Sequence, residues 1–596
     1  MQLTFKKNSI GYFRFYYSVI GKKMLISIFL SIAVSFLDGM GLTMFIPLIQ
    51  AVGDHNSGSG KPLGKLHYFT DIITRLGMPL TLGSVLCVLV IVFIVKSALK
   101  FIQLNYQVKL QHLFIRKIRI ALVEKLKGLS YKGFLEFEAG RVQNTFTTET
   151  QRLYNSILAY FNSYQSAVML LTYIFLAFLA NYQFAFLVAL GAGLSNFIYR
   201  KIYKITKTAS VELSRKGNQF NGFLIQAIHY FKYLKSTDYF GKYAVRLKEV
   251  IKQTEGLNKK IGFYNAITAS VKEPVIIIIV ALVIYVQTIV LGSPVSSIIL
   301  SLLLFYRALS FLVLIQTNWQ NFIQNVGSIN AVSSLYSEIN ALQENVQPQS
   351  HSSLKNNLQV KDVSFSYGKQ KILDHINIVI PKNQTVALVG ESGSGKTTLA
   401  NLIAGLIEPD TGTMEIDGVS VQHKNINDYR RRIGYISQDP VIFNDNIFNN
   451  ITFWAPLTEE NILQFWKAVE LASLKTFVQE LPEKEQTNLG DNGILISGGQ
   501  KQRISIAREL YKNAEILIMD EATSALDSET EKVIQENIEQ LHGSYTMVII
   551  AHRLSTIRNA DIIYLMDKGK ITAAGNFDKM LNHSERFKRM VLLQEV

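Results

Sequence analysis

Cysteine is almost absent from this 596-residue chain, which contains a single one, Cys87. One cysteine excludes an intrachain disulfide, so the composition gives no sign of a secreted, oxidising compartment. Because Cys87 falls in an apolar run, we expect it to be a small buried hydrophobic residue. The N-terminus also lacks the short apolar core and small-residue cleavage site of a signal peptide, and we expect this segment to be retained.

Acidic residues are fewer than basic ones, 45 against 61, which gives the chain a formal net charge of +16. Such a balance alone suggests nucleic acid or an anionic membrane as a partner. The mean hydropathy is positive, at +0.18, and long apolar runs occupy the first half of the chain. We therefore predict a membrane protein with no nucleic-acid partner. A chain of this length exceeds what one core supports, so at least two domains are expected.

Six apolar runs in the first half are long enough to cross a bilayer. The predicted spans are 24–49, 82–104, 157–180, 184–203, 274–291 and 295–314. Lysine and arginine are concentrated between spans two and three and between spans four and five, so we predict that both termini are cytoplasmic. An aromatic segment at 11–20 is expected either to lie at the lipid headgroups or to start the first span.

The two basic segments have apolar residues at helical spacing, which predicts helices that continue beyond the membrane. Short aromatic-rich interruptions at 131–138 and 225–233 are candidate coupling helices, on which a soluble motor domain could push. Farther along, 340–357 is rich in Gln, Asn and Ser, which is typical of a linker. The predicted domains are therefore 1–339 in the membrane and 358–596 in solution.

The sequence GESGSGKT at 390–397 follows a strand-like run at 385–389 and opens a helix-like run at 399–406. This is the context of a P-loop, whose backbone N–H groups and helix N-terminus bind phosphate oxygens. Lys396 would reach the terminal phosphates and Thr397 would hold Mg²⁺. A glycine-rich turn with a chance lysine is the disfavoured alternative. The predicted ATP-binding set in this motif is Gly390, Ser392, Gly393, Gly395, Lys396, Thr397 and Thr398.

Other candidates lie at the ends of strand-like runs. Asp520 and Glu521 follow one such run, and carboxylates collect at the carboxyl ends of strands in α/β sheets. Asp520 suits the magnesium shell, and Glu521 suits polarising the attacking water. His552 could contact the terminal phosphate or could simply cap a loop. Tyr367 could stack on adenine or could be an ordinary edge-strand tyrosine.

With these residues in place, the second half resembles the ATP-binding cassette (ABC) family. The run at 496–500, ISGGQ, matches the family's signature loop, with Ile496 where leucine is usual. Gln438 is similar to the Q-loop residue, 524–527 to the D-loop and His552 to the switch residue. Six spans followed by one cassette resemble the exporter half-transporters. The implied fold is an all-α six-helix transmembrane domain of the type I/IV exporters plus an α/β P-loop domain.

The resemblance also implies roles that spacing alone does not give. In such dimers the signature loop of one chain covers the ATP held by the other chain, which implicates Ser497, Gly498, Gly499, Gln500 and the D-loop Asp527. It implies that Gln438 joins the magnesium shell and the catalytic set with Glu521 and His552. The expected partner is a second copy of the chain, and pairing with a different half-transporter stays open.

Ionisable residues inside the predicted spans are the available indication of cargo, because they are costly in lipid. Lys96, Lys100 and Lys272 are expected to extend to the membrane interface. Arg307 lies deeper. It is either a cation that binds a phosphate-bearing cargo or the ion-pair partner of Asp38 or Glu273, and these three residues form the predicted substrate site.

Parts of the chain are also similar to bacterial flippases of lipid-linked oligosaccharides, namely 36–41, 45–49, 306–307, 429–438 and 443–445. We therefore predict an inner-membrane exporter or flippase that uses ATP to move an amphipathic, anionic, lipid-linked substrate outward. A multidrug exporter, or an exporter of other lipids or peptides, is the alternative. A channel or receptor that uses ATP only as a switch is a further class, and Glu521 argues against it.

Overall fold

The computed structural model describes residues 8–44, 82–180, 182–290, 295–344, 353–421, 426–520, 528–551 and 557–592. The chain separates into two compact units. One comprises Met1–Leu129 with Gly133–Gln343, and the other Ser130–Lys132 with Glu344–Val596. We call them the helical unit and the cassette unit. The predicted linker and domain limits stay predictions, because residues 345–352 lie outside the described ranges.

The helical unit is built from helices joined by short connections. In chain order they are α1 (Ser9–Ile20), α2 (Lys23–Thr43), α3 (Leu82–Lys127), α4 (Tyr131–Leu135), α5 (Ala139–Asn144), α6 (Thr150–Ala180), α7 (Tyr182–His229), α8 (Phe231–Ser236), α9 (Phe240–Tyr285) and α10 (Val295–Ala341). The first two residues of α4 are assigned to the cassette unit. Two π-helical segments, Thr145–Glu149 and Val286–Val290, precede α6 and follow α9.

Each predicted span lies largely within one of the longer helices. Four of these helices, α3, α7, α9 and α10, have 46 to 48 residues. At about 1.5 Å per residue they are roughly twice as long as a bilayer core of about 30 Å is thick. They therefore extend well beyond any membrane. In the described part of the chain, three helical stretches are apolar and long enough to cross a membrane. They are α2 (Lys23–Thr43), α3 (Leu82–Lys127) and Ala139–Leu179, which runs from α5 through the first π-helical segment into α6.

One predicted boundary, that of the second coupling helix, differs from the structure. The predicted fifth span begins at Pro274, and α9 begins earlier, at Phe240, and continues through this proline, in line with the predicted continuation of the helices beyond the membrane. The second coupling helix was placed at 225–233. The break comes later, at Tyr230, and the short helix is α8. Finally, α1 is a separate helix, because Gly21 adopts a φ of 70° and ends it before α2 begins.

The aromatic side chains of α1 pack inside the helical unit instead of lying wholly at a lipid surface. Tyr12, Phe15 and Tyr16 are buried with residues of α3, α6 and α10. Tyr16 shares a hydrogen bond of 2.8 Å with Ser156, and Tyr12 meets the edge of the Phe322 ring at 5.0 Å. The helix is therefore part of the packed bundle.

The expectation for Cys87 is wrong, since the residue is exposed on α3. Its neighbours Leu86, Val90 and Ile91 are exposed as well. The apolar run that contains Cys87 therefore has an outward face. An outward apolar face is suited to contact with lipid, so an apolar sequence context need not correspond to burial in protein.

The cassette unit combines two sheets with surrounding helices. Its strands are β1 (Asn357–Tyr367), β2 (Gln370–Pro381), β3 (Thr385–Gly390), β4 (Thr411–Ile416), β5 (Val419–Ser420), β6 (Ile433–Ile436), β7 (Ile516–Asp520), β8 (Thr546–Ile550), β9 (Ile562–Asp567) and β10 (Lys570–Gly575). Its helices are α11 (Lys396–Ile403), α12 (Ile426–Arg431), α13 (Ile447–Thr452), α14 (Glu459–Leu471), α15 (Lys475–Glu480), α16 (Gly498–Tyr511), α17 (Ser528–Leu541), α18 (Phe577–His583) and α19 (Glu585–Leu592).

The larger sheet has the order β10-β9-β3-β8-β7-β6, in which only the pair β10–β9 is antiparallel. The smaller sheet, β2-β1-β4-β5, is antiparallel. Strand β3 is buried on both faces, with alternate residues in two different cores. Because the five parallel strands point the same way, the residues that follow β3, β6 and β7 meet at one edge. The predicted fold class, apolar helices plus an α/β P-loop domain, is confirmed.

Candidate functional site

The P-loop leaves the buried strand β3 and enters α11. Gly393 and Gly395 adopt φ angles of 78° and 104°, which glycine reaches without strain. A Cβ atom on Gly390 would lie 2.3 Å from the carbonyl oxygen of Met566, so only glycine fits there. The loop therefore follows the tight path that the sequence motif requires, at the carboxyl edge of the sheet.

Polar groups inside the loop fit a phosphate ligand. The Lys396 ammonium is buried and donates to the carbonyl oxygens of Gly390 at 2.7 Å and Glu391 at 3.0 Å. The hydroxyl of Ser394 is buried without a hydrogen-bond partner. An orphaned buried hydroxyl needs a partner, and a nucleotide phosphate oxygen is a suitable one. Ser392 and Thr397 are exposed beside it, and Thr398 is half-buried.

Asp520 ends β7 at the same edge, with β8 between it and the P-loop strand. The Tyr435 hydroxyl of the neighbouring strand β6 donates to its Oδ2 at 3.2 Å. Burial raises the pKa of Tyr435, and the charge of Asp520 adds to this rise, so the phenol stays a neutral donor. Tyr435 was not among the predicted site residues. Its position on a strand ending at this edge is the signal that could have found it.

Gln438 and Tyr367 lie at the ends of other strands. Gln438 is exposed two residues after β6, at the edge that also carries Asp520. Tyr367 ends β1, half-buried, with its ring edge-on to Phe365 at 4.9 Å. It also packs against the core that contains Leu399 and Ala400 of the P-loop helix. The structure thus brings the P-loop, Asp520 and Gln438 to one edge of a sheet, and links Tyr367 to α11.

The signature loop forms the N-terminus of α16. Ser497 caps this helix, and it exchanges two hydrogen bonds with Gln500, of 2.8 and 3.3 Å, in a capping box. Ser497 and Gly498 are exposed, whereas Gly499 is buried. The preceding Ile494 and Leu495 are 79% and 71% exposed. An exposed helix N-terminus beside exposed apolar side chains is suited to contact with another surface.

Some predicted site residues fall where the structure gives no description. Glu521, Asp527 and His552 lie outside the described ranges. The backbone of Glu273 belongs to α9, but its side chain is not described. Their roles stay predictions.

Asp38, in the first span, is the centre of a polar cluster between helices. Its carboxylate ion-pairs with Lys96 of α3 and accepts a hydrogen bond of 2.6 Å from the Tyr173 hydroxyl of α6. The side chains of Asp38 and Lys96 are only 7% and 16% exposed. The expectation that Lys96 extends to the interface is therefore wrong, because a buried carboxylate one helix away offers it a stronger partner than water at a distance.

Arg307 belongs to the same cluster but is exposed. Its guanidinium lies 5.9 Å from the centre of the Phe311 ring. Phe311 in turn stacks on Tyr173 at 5.5 Å. Pairing between Arg307 and Asp38 was one predicted alternative, and the structure gives Asp38 to Lys96 instead. Among the side chains that the structure describes, no carboxylate ion-pairs with Arg307.

A second buried carboxylate was missed at the sequence level. Glu149, 1% exposed, ion-pairs with Arg152 at 3.2 Å and accepts from Ser214 at 3.1 Å. Arg152 also donates to Ser214 at 2.8 Å, to the Ser210 hydroxyl at 3.0 Å and to the Gln324 carbonyl at 3.0 Å. These contacts join α6, α7 and α10. Their only sequence signal is a charged pair three residues apart, which is common on exposed helix surfaces.

Comparisons with known proteins identify similar sequences and structures. The family model "ABC transporter" matches residues 373–524. A heterocyst differentiation ATP-binding protein, HepA, of a Nostoc species is 32% identical over 483 residues, which cover 77% of this chain and 76% of that protein. An ATP-dependent lipid A-core flippase of Desulfotalea psychrophila is 41% identical over 46% of this chain, and one of Ralstonia nicotianae is 45% identical over 38%.

These matches to lipid A-core flippases span only 47% and 39% of the flippases' own lengths. A solved structure of a bacterial Atm1-family ABC exporter with ATP bound superposes with a TM-score of 0.80. It covers 97% of this chain and 99% of that one at 21% sequence identity. This likeness extends over both units and concerns the fold.

Proposed function

This chain belongs to the ABC transporter family, and on that premise we propose that it acts as a homodimer that moves an anionic, lipid-linked substrate outward across the inner membrane. The family assignment makes it an ATP-hydrolysing exporter, with one membrane domain and one cassette per chain. Half-transporters of this kind work as dimers. The identity of the partner, the substrate, the cellular membrane and the cytoplasmic position of both termini belong to the proposal.

For the nucleotide site we propose the roles that the motifs indicate. The P-loop and Lys396 bind the phosphates of ATP, Tyr367 faces the adenine, and Thr397, Gln438 and Asp520 hold Mg²⁺. Glu521 polarises the attacking water, and His552 contacts the terminal phosphate. The orphaned Ser394 hydroxyl and the glycine-lined loop support this assignment, because both fit phosphate oxygens.

A second copy of the chain is the proposed partner because the signature loop is exposed. Ser497 and Gly498 present a helix N-terminus, and Ile494 and Leu495 beside them are left uncovered. In the proposed dimer this surface closes over the ATP of the other chain, with Asp527 at the same boundary. Closure on binding and release on hydrolysis would then drive the helical unit between two states.

The single observation that carries the cargo proposal is the state of Arg307. Asp38 pairs with Lys96, and no carboxylate among the described side chains pairs with the exposed guanidinium of Arg307, so its positive charge is available to a ligand. A planar guanidinium binds phosphate oxygens in pairs, which favours a phosphate-bearing lipid over a neutral drug. The likeness to lipid A-core flippases is a second argument for a lipid cargo.

The proposal can be tested by ATPase stimulation in lipid vesicles. We expect polyprenyl-pyrophosphate saccharides to raise hydrolysis by the purified dimer above its basal rate, and hydrophobic drugs to leave it unchanged. The opposite ranking would favour the second candidate, a multidrug exporter, or an exporter of other lipids or peptides.

The catalytic assignment has its own test in Glu521→Gln. This variant should bind ATP and close its cassettes but hydrolyse about 10²-fold to 10³-fold more slowly, since removal of a group that stabilises the transition state costs of this order. Phosphate release and nucleotide trapping measure the two properties separately. Near-normal turnover would mean that the water is activated by another group.

A further inference from the structure

The C-terminal helix α19 is connected to the P-loop by one arginine. The guanidinium of Arg586 forms ion pairs with two carboxylates, Glu391 at 2.9 Å and Asp567. Glu391 is the second residue of the P-loop, and Asp567 ends β9, which pairs with the P-loop strand. The Arg586 side chain therefore connects α19 to the phosphate-binding loop and to the neighbouring strand β9.

The same side of the P-loop is held by the turn between β9 and β10. Gly569 donates its N–H to the carbonyl oxygen of Ser394 at 3.0 Å. The backbone of Glu391 also takes part in the loop, since its carbonyl oxygen accepts from Ser394 N–H at 3.2 Å and from Lys396 at 3.0 Å. A shift of Glu391 would therefore move groups that shape the phosphate site.

The charges explain why an arginine is needed here. Glu391 and Asp567 are close enough to share one guanidinium, so without it two like charges would face each other. Glu391 is 71% exposed, and its carboxylate belongs to a loop that binds a highly anionic ligand. An unpaired carboxylate at this position would repel the phosphates.

We propose that Arg586 is a positioning residue for the P-loop: by pairing with Glu391 and Asp567 it offsets the negative charge of Glu391 beside the loop and raises the loop's affinity for ATP. The role rests on the proposed nucleotide site. It makes the C-terminal helix α19 a determinant of nucleotide affinity, although α19 carries none of the family's motifs. Because the ion pairs are solvent-accessible, the effect is moderate and depends on salt.

The test is a binding titration of the full-length protein with Mg²⁺ and a fluorescent, non-hydrolysable ATP analogue. At low salt, Arg586→Ala should raise the Kd about two- to five-fold, the range of an accessible ion pair, and this difference should shrink at high salt. Arg586→Lys should retain part of the affinity. Arg589→Ala is the matched control, because Arg589 is exposed on the same helix, and its Kd should stay at the wild-type value.

A double-mutant cycle separates charge from structure. In a Glu391→Gln background, Arg586→Ala should raise the Kd less than it does in the wild type, because the repelling carboxylate is gone. An unchanged Kd for Arg586→Ala at low salt would overturn the proposal. So would an increase that is the same at all salt concentrations and in both backgrounds.

Lys396→Ala distinguishes this inference from the nucleotide site on which it rests. Loss of binding in Lys396→Ala together with a wild-type Kd in Arg586→Ala rejects only the role of Arg586. Wild-type binding by Lys396→Ala rejects the nucleotide site itself. If Arg586→Ala fails to fold, the salt dependence of Arg586→Lys and Glu391→Gln decides in its place.

Discussion

Two buried carboxylates of the helical unit, Glu149 and Asp38, each bind a basic side chain, yet their surroundings differ. Around Glu149 the hydrogen bonds form a closed set. Arg152 binds the carboxylate and donates to two serine hydroxyls of α7 and to a main-chain carbonyl of α10. Around Asp38 the set is open: Lys96 and Tyr173 contact the carboxylate, and the contacts continue from Tyr173 through the Phe311 ring to the exposed Arg307.

This difference teaches how buried charge can be assigned to structure or to function. A closed network satisfies its own members and rigidifies the helices that it joins, so a ligand has nothing to add. At this node α7 and α10 are so close that a Cβ atom on Gly327 would lie 2.3 Å from the Ser210 carbonyl oxygen. In the open network one charged group, Arg307, has no carboxylate partner among the side chains that the structure describes, which is the property expected of a binding site and not of a support.

The largest effect should come from breaking the closed network. Arg152→Ala leaves Glu149 as a buried, unpaired carboxylate, and removal of one partner of such a pair costs about 3–5 kcal/mol. We expect a large fall in the thermal unfolding temperature of the purified protein. Arg215→Ala is the matched control, because this arginine of α7 pairs with Glu212 at the surface, and its unfolding temperature should not change measurably. Equal stability of the two variants would show that the Glu149 cluster is not a support.

A smaller loss is expected for Asp38→Asn. The variant leaves the Lys96 ammonium without a carboxylate, but the long lysine side chain can extend toward water, so we expect about 1–3 kcal/mol, less than for a fully enclosed pair. The double variant Asp38→Asn with Lys96→Met removes both charges and should recover most of the lost stability in the same unfolding measurement. Failure of the double variant to recover would mean that the pair contributes more than mutual neutralisation.

The two units also differ in how much of their structure could be predicted from the sequence. In the cassette unit the residues that shape the site are close in sequence: the P-loop glycines, the strand before them and the helix after them lie within one short segment. The strand was predicted at 385–389 and is Thr385–Gly390, and the helix was placed at 399–406 but begins with Lys396. A motif that fixes its own geometry can be recognised without knowledge of the rest of the fold.

In the helical unit the decisive contacts join residues far apart in sequence. Apolar runs located the long helices, but hydropathy does not state which faces meet, so Cys87 was expected to be buried and Lys96 to be at an interface. Asp38 and Lys96 are separated by a long segment of chain, and Arg152 reaches a carbonyl of α10. Such pairings depend on helix rotation and crossing, which a periodic pattern leaves open.

An intermediate case is Tyr173, which connects the satisfied part of the open cluster to Arg307. Tyr173→Phe removes a hydroxyl that donates to a carboxylate, and we expect a loss of about 1–2 kcal/mol, because Lys96 remains to neutralise Asp38. The ring stays stacked on Phe311. Tyr16→Phe is a suitable control, because it deletes a buried hydroxyl bonded to an uncharged serine, and it should cost less. A greater cost in the control would rank the Asp38 contact below an ordinary hydrogen bond.

The smallest effect on stability, and the most specific effect on function, should be that of Arg307→Ala. The side chain is exposed and ion-pairs with no carboxylate among the described side chains, so its removal should leave the unfolding temperature nearly unchanged. Transport of an acidic lipid by the reconstituted protein should nevertheless fall at least about tenfold, the loss expected for one charge-assisted contact, while basal hydrolysis persists. Arg307→Lys keeps the charge without the planar fork and should transport at an intermediate rate. Equal loss of stability, hydrolysis and transport in Arg307→Ala would place this residue with Arg152, as part of a support, and the distinction between the open and the closed cluster would fail.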